Sequence, residues 1–158
     1  MLAYRHGITY NTIMGPYKIV VDTNVLVAAL RSRLGASFRL INLIDSGKYV
    51  INISVPLVYE YEQVLNNMRW PGKPANKYIS DILDYICSVG QQWKIYYLWR
   101  PKLSDPKDEM VLELAVTSQS RYIITYNKSD FREAVEFGII VLSPAEFLKK
   151  LEETNEHN

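Results

Sequence analysis

The sequence predicts an α/β fold, a three-layer α/β/α sandwich with a central, mostly parallel sheet of five strands. Short runs rich in Ile, Val and Tyr alternate along the chain with longer amphipathic segments. The first run, Ile19-Val20-Val21, contains no polar residue that would face solvent, as expected for a strand that is buried on both sides. Such alternation is typical of parallel sheets, because each parallel crossover needs a helix or a long connection.

The predicted elements follow one another in this order. Strands are expected near residues 17–21, 49–53, 93–98, 121–125 and 139–142. Helices are expected near residues 24–31, 36–46, 55–68, 75–90, 107–119 and 143–153, with a short helix or turn at 130–136. Gly47 ends one helix and the loop Trp70-Pro71-Gly72-Lys73-Pro74 separates two others.

The length of the chain favours a single domain. With 158 residues it can bury roughly 70% of its unfolded surface. We expect this domain to span residues 14–153, with residues 1–13 as a loosely held extension or a start-site artefact and 154–158 as a tail. No run approaches the ~20 apolar residues that cross a bilayer. One cysteine, Cys87, fits a reducing compartment, so we expect a cytoplasmic protein.

Composition excludes several kinds of chemistry. The two histidines, His6 and His157, lie in the terminal segments, which argues against a histidine base, a Ser-His-Asp triad or a Cys/His zinc site. No glycine-rich phosphate-binding motif is present. The net charge of +1 means that any nucleic-acid binding must come from a local patch. Of the common kinds of catalytic site, one built from carboxylates remains possible.

Carboxylates recur where a parallel sheet exposes its carboxyl edge. Asp22 follows the first strand and Asp130 follows the fourth, while Glu60, Asp105 and Asp108 lie at the starts of helices. Strand ends and helix starts converge at this edge, so we expect these side chains to meet. Neighbouring carboxylates repel one another unless they share a cation, and oxygen ligands suit Mg²⁺ or Mn²⁺.

Each acid also has a structural alternative. Asp22 can cap the first helix, Asp105 can cap the helix that starts at Pro106, and Asp130 can be a turn residue. Asp108 is harder to explain in this way, because the helix it enters is apolar nearly all round. In the helix near 55–68, periodicity cannot choose between Glu60 and Glu62.

Four segments together resemble the PIN domain. They are DTNVL after the first strand, an early helical glutamate in SVPLVYEYEQVL, DPKD before a buried helix, and IITYNKSDF around the end of the fourth strand. The resemblance covers about residues 17–150. Within the family, the chain looks like the toxin components of toxin–antitoxin systems, of the VapC type.

The resemblance implies a Mg²⁺- or Mn²⁺-dependent endoribonuclease that hydrolyses single-stranded RNA with a metal-bound water. It implies catalytic and metal-binding roles for Asp22, Glu60, Asp108 and Asp130. It implies roles in positioning substrate or water for Asn24, Thr125, Asn127 and Asp105. Many members carry Asp at the position of Asn127, so either Asp130 supplies the fourth carboxylate or the site is weaker. A small antitoxin protein and a second copy of the chain are the implied partners.

Several side chains are candidate RNA contacts: Arg31, Arg33, Tyr126 and Lys128, with further loop cations such as Lys107. Two other functions stay open. The neutral Asn127 allows a catalytically silent PIN-like module that binds RNA or protein. A phosphatase of the haloacid-dehalogenase type is less favoured, because it needs a second Asp where this chain has Asn24.

Overall fold

A computed structural model describes residues 15–96 and 103–156 of the chain. The predicted extension at 1–13, the end of the predicted strand at 97–98 and the last tail residues, 157–158, lie outside the described residues. Within them, five strands form one all-parallel sheet in the order β3-β2-β1-β4-β5. The strands are β1 Tyr17–Val21, β2 Tyr49–Ile53, β3 Gln91–Gln92, β4 Tyr122–Ile124 and β5 Ile140–Leu142.

Helices flank the sheet, as the alternation of elements predicted. Their bounds are α1 Thr23–Arg31, α2 Ala36–Ile41, α3 Val55–Asn67, α4 Asn76–Val89, α5 Pro106–Thr117 and α6 Pro144–Glu156. A 3₁₀ segment, Lys128–Phe137, connects β4 to β5 and is interrupted by non-helical backbone at Phe131. None of the helices in the described ranges is long and apolar enough to span a membrane.

The core lies on the central strands. Ile19, Val20 and Val21 of β1 have no exposed surface, which confirms that this strand is buried on both faces. On one face, Phe147 of α6 packs its ring against the ring of Tyr122, with centroids 5.4 Å apart. Burying large aromatic and aliphatic side chains on both faces supplies most of the driving force for folding.

Three predicted elements need correction. The strand predicted at 93–98 is wrong: β3 is Gln91–Gln92, because its partner β2 ends at Ile53 and leaves only two residues to pair with. The helix predicted at 36–46 ends at Ile41, after which the chain continues in tight turns. The last helix continues to Glu156, three residues past its predicted end.

Candidate active site

Asp22 lies at the carboxyl edge of β1 and is held in place by hydrogen bonds of its backbone and its side chain. Its backbone N–H donates to the carbonyl of Ile124 in β4 at 2.9 Å. Its Oδ1 accepts from the backbone N–H of Thr23 at 2.8 Å, so Asp22 does cap α1. Its Oδ2 accepts from Thr125 Oγ1, also at 2.8 Å. Capping therefore uses one carboxylate oxygen, while the other is oriented by a neighbouring strand.

The hydroxyl of Thr125 connects the ends of β1 and β4. This residue is fully buried. Besides donating to Asp22, its Oγ1 accepts from Asn24 Nδ2 at 3.2 Å and from the backbone N–H of Asn127 at 3.0 Å. Asn24 Oδ1 accepts from the backbone N–H of Tyr126 at 3.3 Å. Thr125 and Asn24 thus fix the orientation of Asp22 through hydrogen bonds that lie within the protein.

Asp108 enters from the first turn of α5. Asp105 caps this helix by accepting from the backbone N–H of Lys107 at 2.9 Å, which is the structural role considered for it. Asp108 is partly buried, and burial together with the charges of Asp22, Asp105 and Asp130 raises its pKa to about 6. Its carboxylate therefore lies within electrostatic range of Asp22 and Asp130, which come from two other segments of the chain, and of Asp105 at the start of the same helix.

Glu60 comes from α3, and the structure separates it from Glu62. The Glu60 side chain is only 16% exposed and its Oε1 lies 3.2 Å from Nζ of Lys107. Glu62 is exposed to solvent. The pKa of Asp22 is raised by burial, against hydrogen bonds that lower it, and the charges of Asp130 and Glu60 raise it further. Glu60 is therefore the glutamate of α3 that faces Asp22.

Asp130, three residues after Asn127, adds negative charge near Asp22 and Asp108. It lies in the first turn of the 3₁₀ segment and is exposed. Its charge raises the pKa of both Asp22 and Asp108, so it faces the same space as they do. We call Asp22, Glu60, Asp108 and Asp130 the acid cluster. They come from four separate elements and converge at one edge of the sheet.

The candidate RNA contacts divide into two groups. Tyr126 and Lys128 follow β4 and lie near the acid cluster, with Lys128 Nζ paired to Glu146 at 2.8 Å. Arg31 and Arg33 lie at, and just beyond, the end of α1 that is far from Asp22. Arg31 ends α1, about 12 Å along the helix from Thr23, and its guanidinium lies 5.0 Å from the centroid of the Trp70 ring. Both arginines line a separate cavity of about 620 Å³ among α1, α2 and α4.

Sequence reasoning missed two contacts of the acid cluster. Tyr61 is fully buried and donates a hydrogen bond to the carbonyl of Val21, directly before Asp22. Nothing in its apolar stripe distinguishes it from an ordinary core tyrosine. Lys107 was expected as a loop cation, whereas it is the partner of Glu60. Its position directly before Asp108 was the only available signal.

The donor set of the acid cluster suits a hard divalent cation. Among the described residues, no three His, Cys, Asp or Glu side chains form a ready-made ligand group. Mg²⁺ rarely needs one, because it keeps several of its waters and is bound through one or two carboxylates. The acid cluster offers four carboxylates, which suits such an ion. The charges of other members of the cluster help to raise the pKa values of Asp22 and Asp108.

These features define a parallel α/β domain with an acidic site at the carboxyl edge of its sheet. A family model described as PIN domain matches residues 18–129, well over half of the chain. The chain therefore belongs to the PIN domain family, which is generally a nuclease fold whose members usually use divalent metal ions. None of the curated proteins matches this chain.

Proposed function

We propose that this protein is a Mg²⁺- or Mn²⁺-dependent endoribonuclease that cleaves single-stranded RNA at the acid cluster. One observation carries the proposal: the hydroxyl of Thr125 fixes Asp22 at the carboxyl end of β1, and acids from α3, α5 and the 3₁₀ segment lie within electrostatic range of it. Such a concentration of negative charge opposes folding unless a cation offsets it. Membership of a family that is generally nucleolytic supports the same conclusion.

The residues of the acid cluster have different parts in this proposal. Asp22 and Asp108 would hold the cation, while Glu60 and Asp130 would add negative charge around it. A bound Mg²⁺ or Mn²⁺ supplies the Lewis acidity that activates water and offsets the charge of the phosphate. Thr125 and Asn24 keep the carboxylate of Asp22 in one orientation, which reduces the rearrangement needed for binding and for catalysis.

Lys107 gives the site a neutralising charge of its own. Its ammonium lies 3.2 Å from Glu60 and the side chain is largely exposed. It offsets part of the repulsion among the acids before a cation binds, and it can move away at small cost because exposed ion pairs contribute little.

The biological role we propose is that of the toxin in a toxin–antitoxin pair, with a small antitoxin protein and a second copy of the chain as partners. This role rests on the resemblance of the four motifs to toxins of the VapC type. Expression of the wild-type chain in a bacterial host should arrest growth, whereas Asp22→Asn should not. Growth that continues unchanged with active wild-type enzyme present would contradict the toxin role and leave the nuclease proposal intact.

A cleavage assay tests the nuclease proposal. Purified protein is incubated with a single-stranded RNA oligonucleotide in Mn²⁺, in Mg²⁺ and in EDTA, with Asp108→Asn in parallel. We expect cleavage only with a divalent ion and only by the wild-type chain. Cleavage in EDTA, or equal cleavage by Asp108→Asn, would refute the assignment.

A catalytically silent binding module is the second candidate. The neutral Asn127 favours it, because one carboxylate that many family members carry there is absent. A silent module should bind RNA or protein without cleaving RNA, and its affinity should not depend on Mn²⁺. The same assay, followed by a binding measurement in EDTA, separates the two candidates.

A further inference from the structure

A half-exposed tyrosine directly follows, in sequence, a residue that binds the acid cluster. Tyr126 follows Thr125, whose hydroxyl donates to Asp22. Adjacent Cα atoms are only about 3.8 Å apart, so the ring starts within one residue of the group that holds Asp22. Tyr126 as a whole is 49% exposed, although the neighbouring Thr125 is fully buried.

The position of this ring is fixed from both ends. The backbone N–H of Tyr126 donates to Asn24 Oδ1 at 3.3 Å. Its phenol shares a 2.7 Å hydrogen bond with the hydroxyl of Ser37 in α2, a residue only 1% exposed. Because the polar atom of the side chain is bound by the protein, the part of Tyr126 left for a ligand is the aromatic ring. A ring held in this way loses little further conformational entropy when something packs on it.

The charges around the ring disfavour a direct phosphate contact at this point. Lys128 and Asp130 follow Tyr126 closely in sequence, and Asp22 is hydrogen-bonded to the preceding residue, Thr125. Lys128 Nζ is already paired with Glu146 at 2.8 Å. A flat, uncharged group is therefore the better partner for the ring. The bases of RNA have such faces, and they are free to stack on a side chain only where the strand is unpaired.

We propose that Tyr126 is a preformed stacking platform that holds an unpaired base next to the phosphodiester at the acid cluster. The proposal rests on the proposed nuclease function and deepens it. It assigns part of the requirement for single-stranded RNA to one side chain. Stacking tolerates any base, so the platform selects for an unpaired strand and contributes little to sequence preference.

Three variants separate stacking from a structural role of Tyr126. Tyr126→Leu removes the ring, and Tyr126→Phe keeps the ring but removes the hydrogen bond to Ser37. Tyr78→Leu is the matched control, because Tyr78 is similarly exposed (44%) but lines the cavity with Arg31 and Arg33. Each variant is assayed with a single-stranded RNA oligonucleotide of mapped cleavage site, and its melting temperature is measured.

We expect Tyr126→Leu to raise KM about tenfold while kcat changes less than about twofold. Tyr126→Phe should keep KM within about threefold of wild type, because the ring remains. Tyr78→Leu should match wild type. A set of oligonucleotides, each with one abasic nucleotide near the cleaved bond, is also tested. We expect one of them to raise the KM of the wild-type chain about as much as Tyr126→Leu does. The same oligonucleotide should not raise the KM of Tyr126→Leu any further, because the ring that the base would stack on is already absent.

Several results would overturn the proposal. An unchanged KM for Tyr126→Leu refutes it, and so does an equal loss in Tyr126→Phe, because the link to Ser37 would then be what matters. If Tyr126→Leu does not fold, the abasic series on the wild-type chain decides: no rise in KM at any position refutes stacking. If the wild-type chain cleaves no RNA, the proposed nuclease function is refuted. If the wild-type chain is active and Tyr126→Leu has the same KM, only the stacking role of Tyr126 is refuted.

Discussion

Two clusters of polar side chains lie around the central sheet and are built in opposite ways. The first, which we call the neutral cluster, consists of Asn52, Trp93, Ser118 and Ser120. Asn52 has no exposed surface, yet its Nδ2 donates to Ser120 Oγ at 3.0 Å and its Oδ1 accepts from Trp93 Nε1 at 2.8 Å. The hydroxyls of Ser118 and Ser120 share a hydrogen bond of 2.7 Å. This cluster is satisfied by its own members and nearby carbonyls.

The acid cluster is oriented by the protein but is not neutralised by it. Asp22 accepts two hydrogen bonds, and Glu60 has Lys107 as a partner, yet Asp22 and Asp108 still have raised pKa values. Unpaired charges in a partly buried place cost stability. The comparison indicates that the neutral cluster supports the fold, and it agrees with our proposal that a cation completes the acid cluster.

The largest effect should come from removing one charge of the acid cluster. Asp22→Asn keeps the shape of the side chain but halves the charge on the two proposed ligands, Asp22 and Asp108. We expect metal-dependent cleavage to fall by at least about 10³-fold, with the melting temperature close to that of wild type. Asp81→Asn, which changes an exposed acid of α4 paired with Lys77, is the control and should cleave normally. If Asp22→Asn cleaves RNA at the wild-type rate, Asp22 is not part of the active site.

A change in the neutral cluster should lower the stability of the fold and leave metal binding unchanged. Asn52→Leu leaves the indole N–H of Trp93 without its acceptor and removes the donor to Ser120. We expect a loss of about 2 kcal/mol in the free energy of unfolding. Mn²⁺ affinity of the folded protein should not change. Chemical denaturation and metal titration measure the two quantities, and a selective loss of Mn²⁺ binding would show that the clusters are coupled.

Stability in the absence of metal should depend on pH through Asp108. Its pKa is raised from 3.8 to about 6 in the folded protein. The folded state therefore binds more protons than the unfolded state between about pH 4 and 6, and this contribution to stability is lost as pH rises through that window. Glu146, whose pKa is lowered by its hydrogen bond with Lys128, acts in the opposite direction.

Comparing the wild-type chain with Asp108→Asn isolates the Asp108 contribution. In EDTA at pH 7 the variant should be more stable by about 1 kcal/mol, a figure reduced for solvent screening. The difference should vanish near pH 4. Thermal unfolding in EDTA across this range measures it. A variant less stable than wild type at pH 7 would mean that Asp108 is not repelled by its neighbours.

The smallest effect should come from Lys107. Lys107→Met removes the ammonium that lies beside Glu60, so a divalent cation no longer competes with it. Because the pair is partly exposed, we expect Mn²⁺ affinity to rise by no more than about fivefold. Lys77→Met, at another exposed pair, is the control. Weaker Mn²⁺ binding in Lys107→Met would mean that Lys107 supports the cation site.

Local patterns in the sequence were enough for the buried framework. The strands at 17–21 and 49–53 were predicted with the bounds that the structure has, because apolar β-branched runs between turn residues leave little choice. The strand predicted at 93–98 was wrong because its extent depends on how much of β2 remains to pair with it. That is a property of the neighbour and is absent from the local pattern.

The candidate site shows the same limit. The carboxylates themselves could be predicted from their positions at strand ends and helix starts. The bond from Asn24 to Thr125 joins residues far apart in sequence and depends on β1 lying beside β4. The direction of α1 decides that Arg31 lies away from the acids, although it is near Asp22 in sequence. Periodicity left Glu60 and Glu62 open and the family resemblance implied Glu60; in the structure Glu60 is largely buried beside Lys107, whereas Glu62 is exposed.

Direct titration of the metal-free protein with Mn²⁺, followed by electron paramagnetic resonance, tests whether the acids share a cation. The account predicts saturable binding by the wild-type chain that weakens by about tenfold or more in both Asp22→Asn and Asp108→Asn and stays unchanged in Asp81→Asn. Equal affinity in all four proteins, or no saturable binding by the wild-type chain, would contradict it.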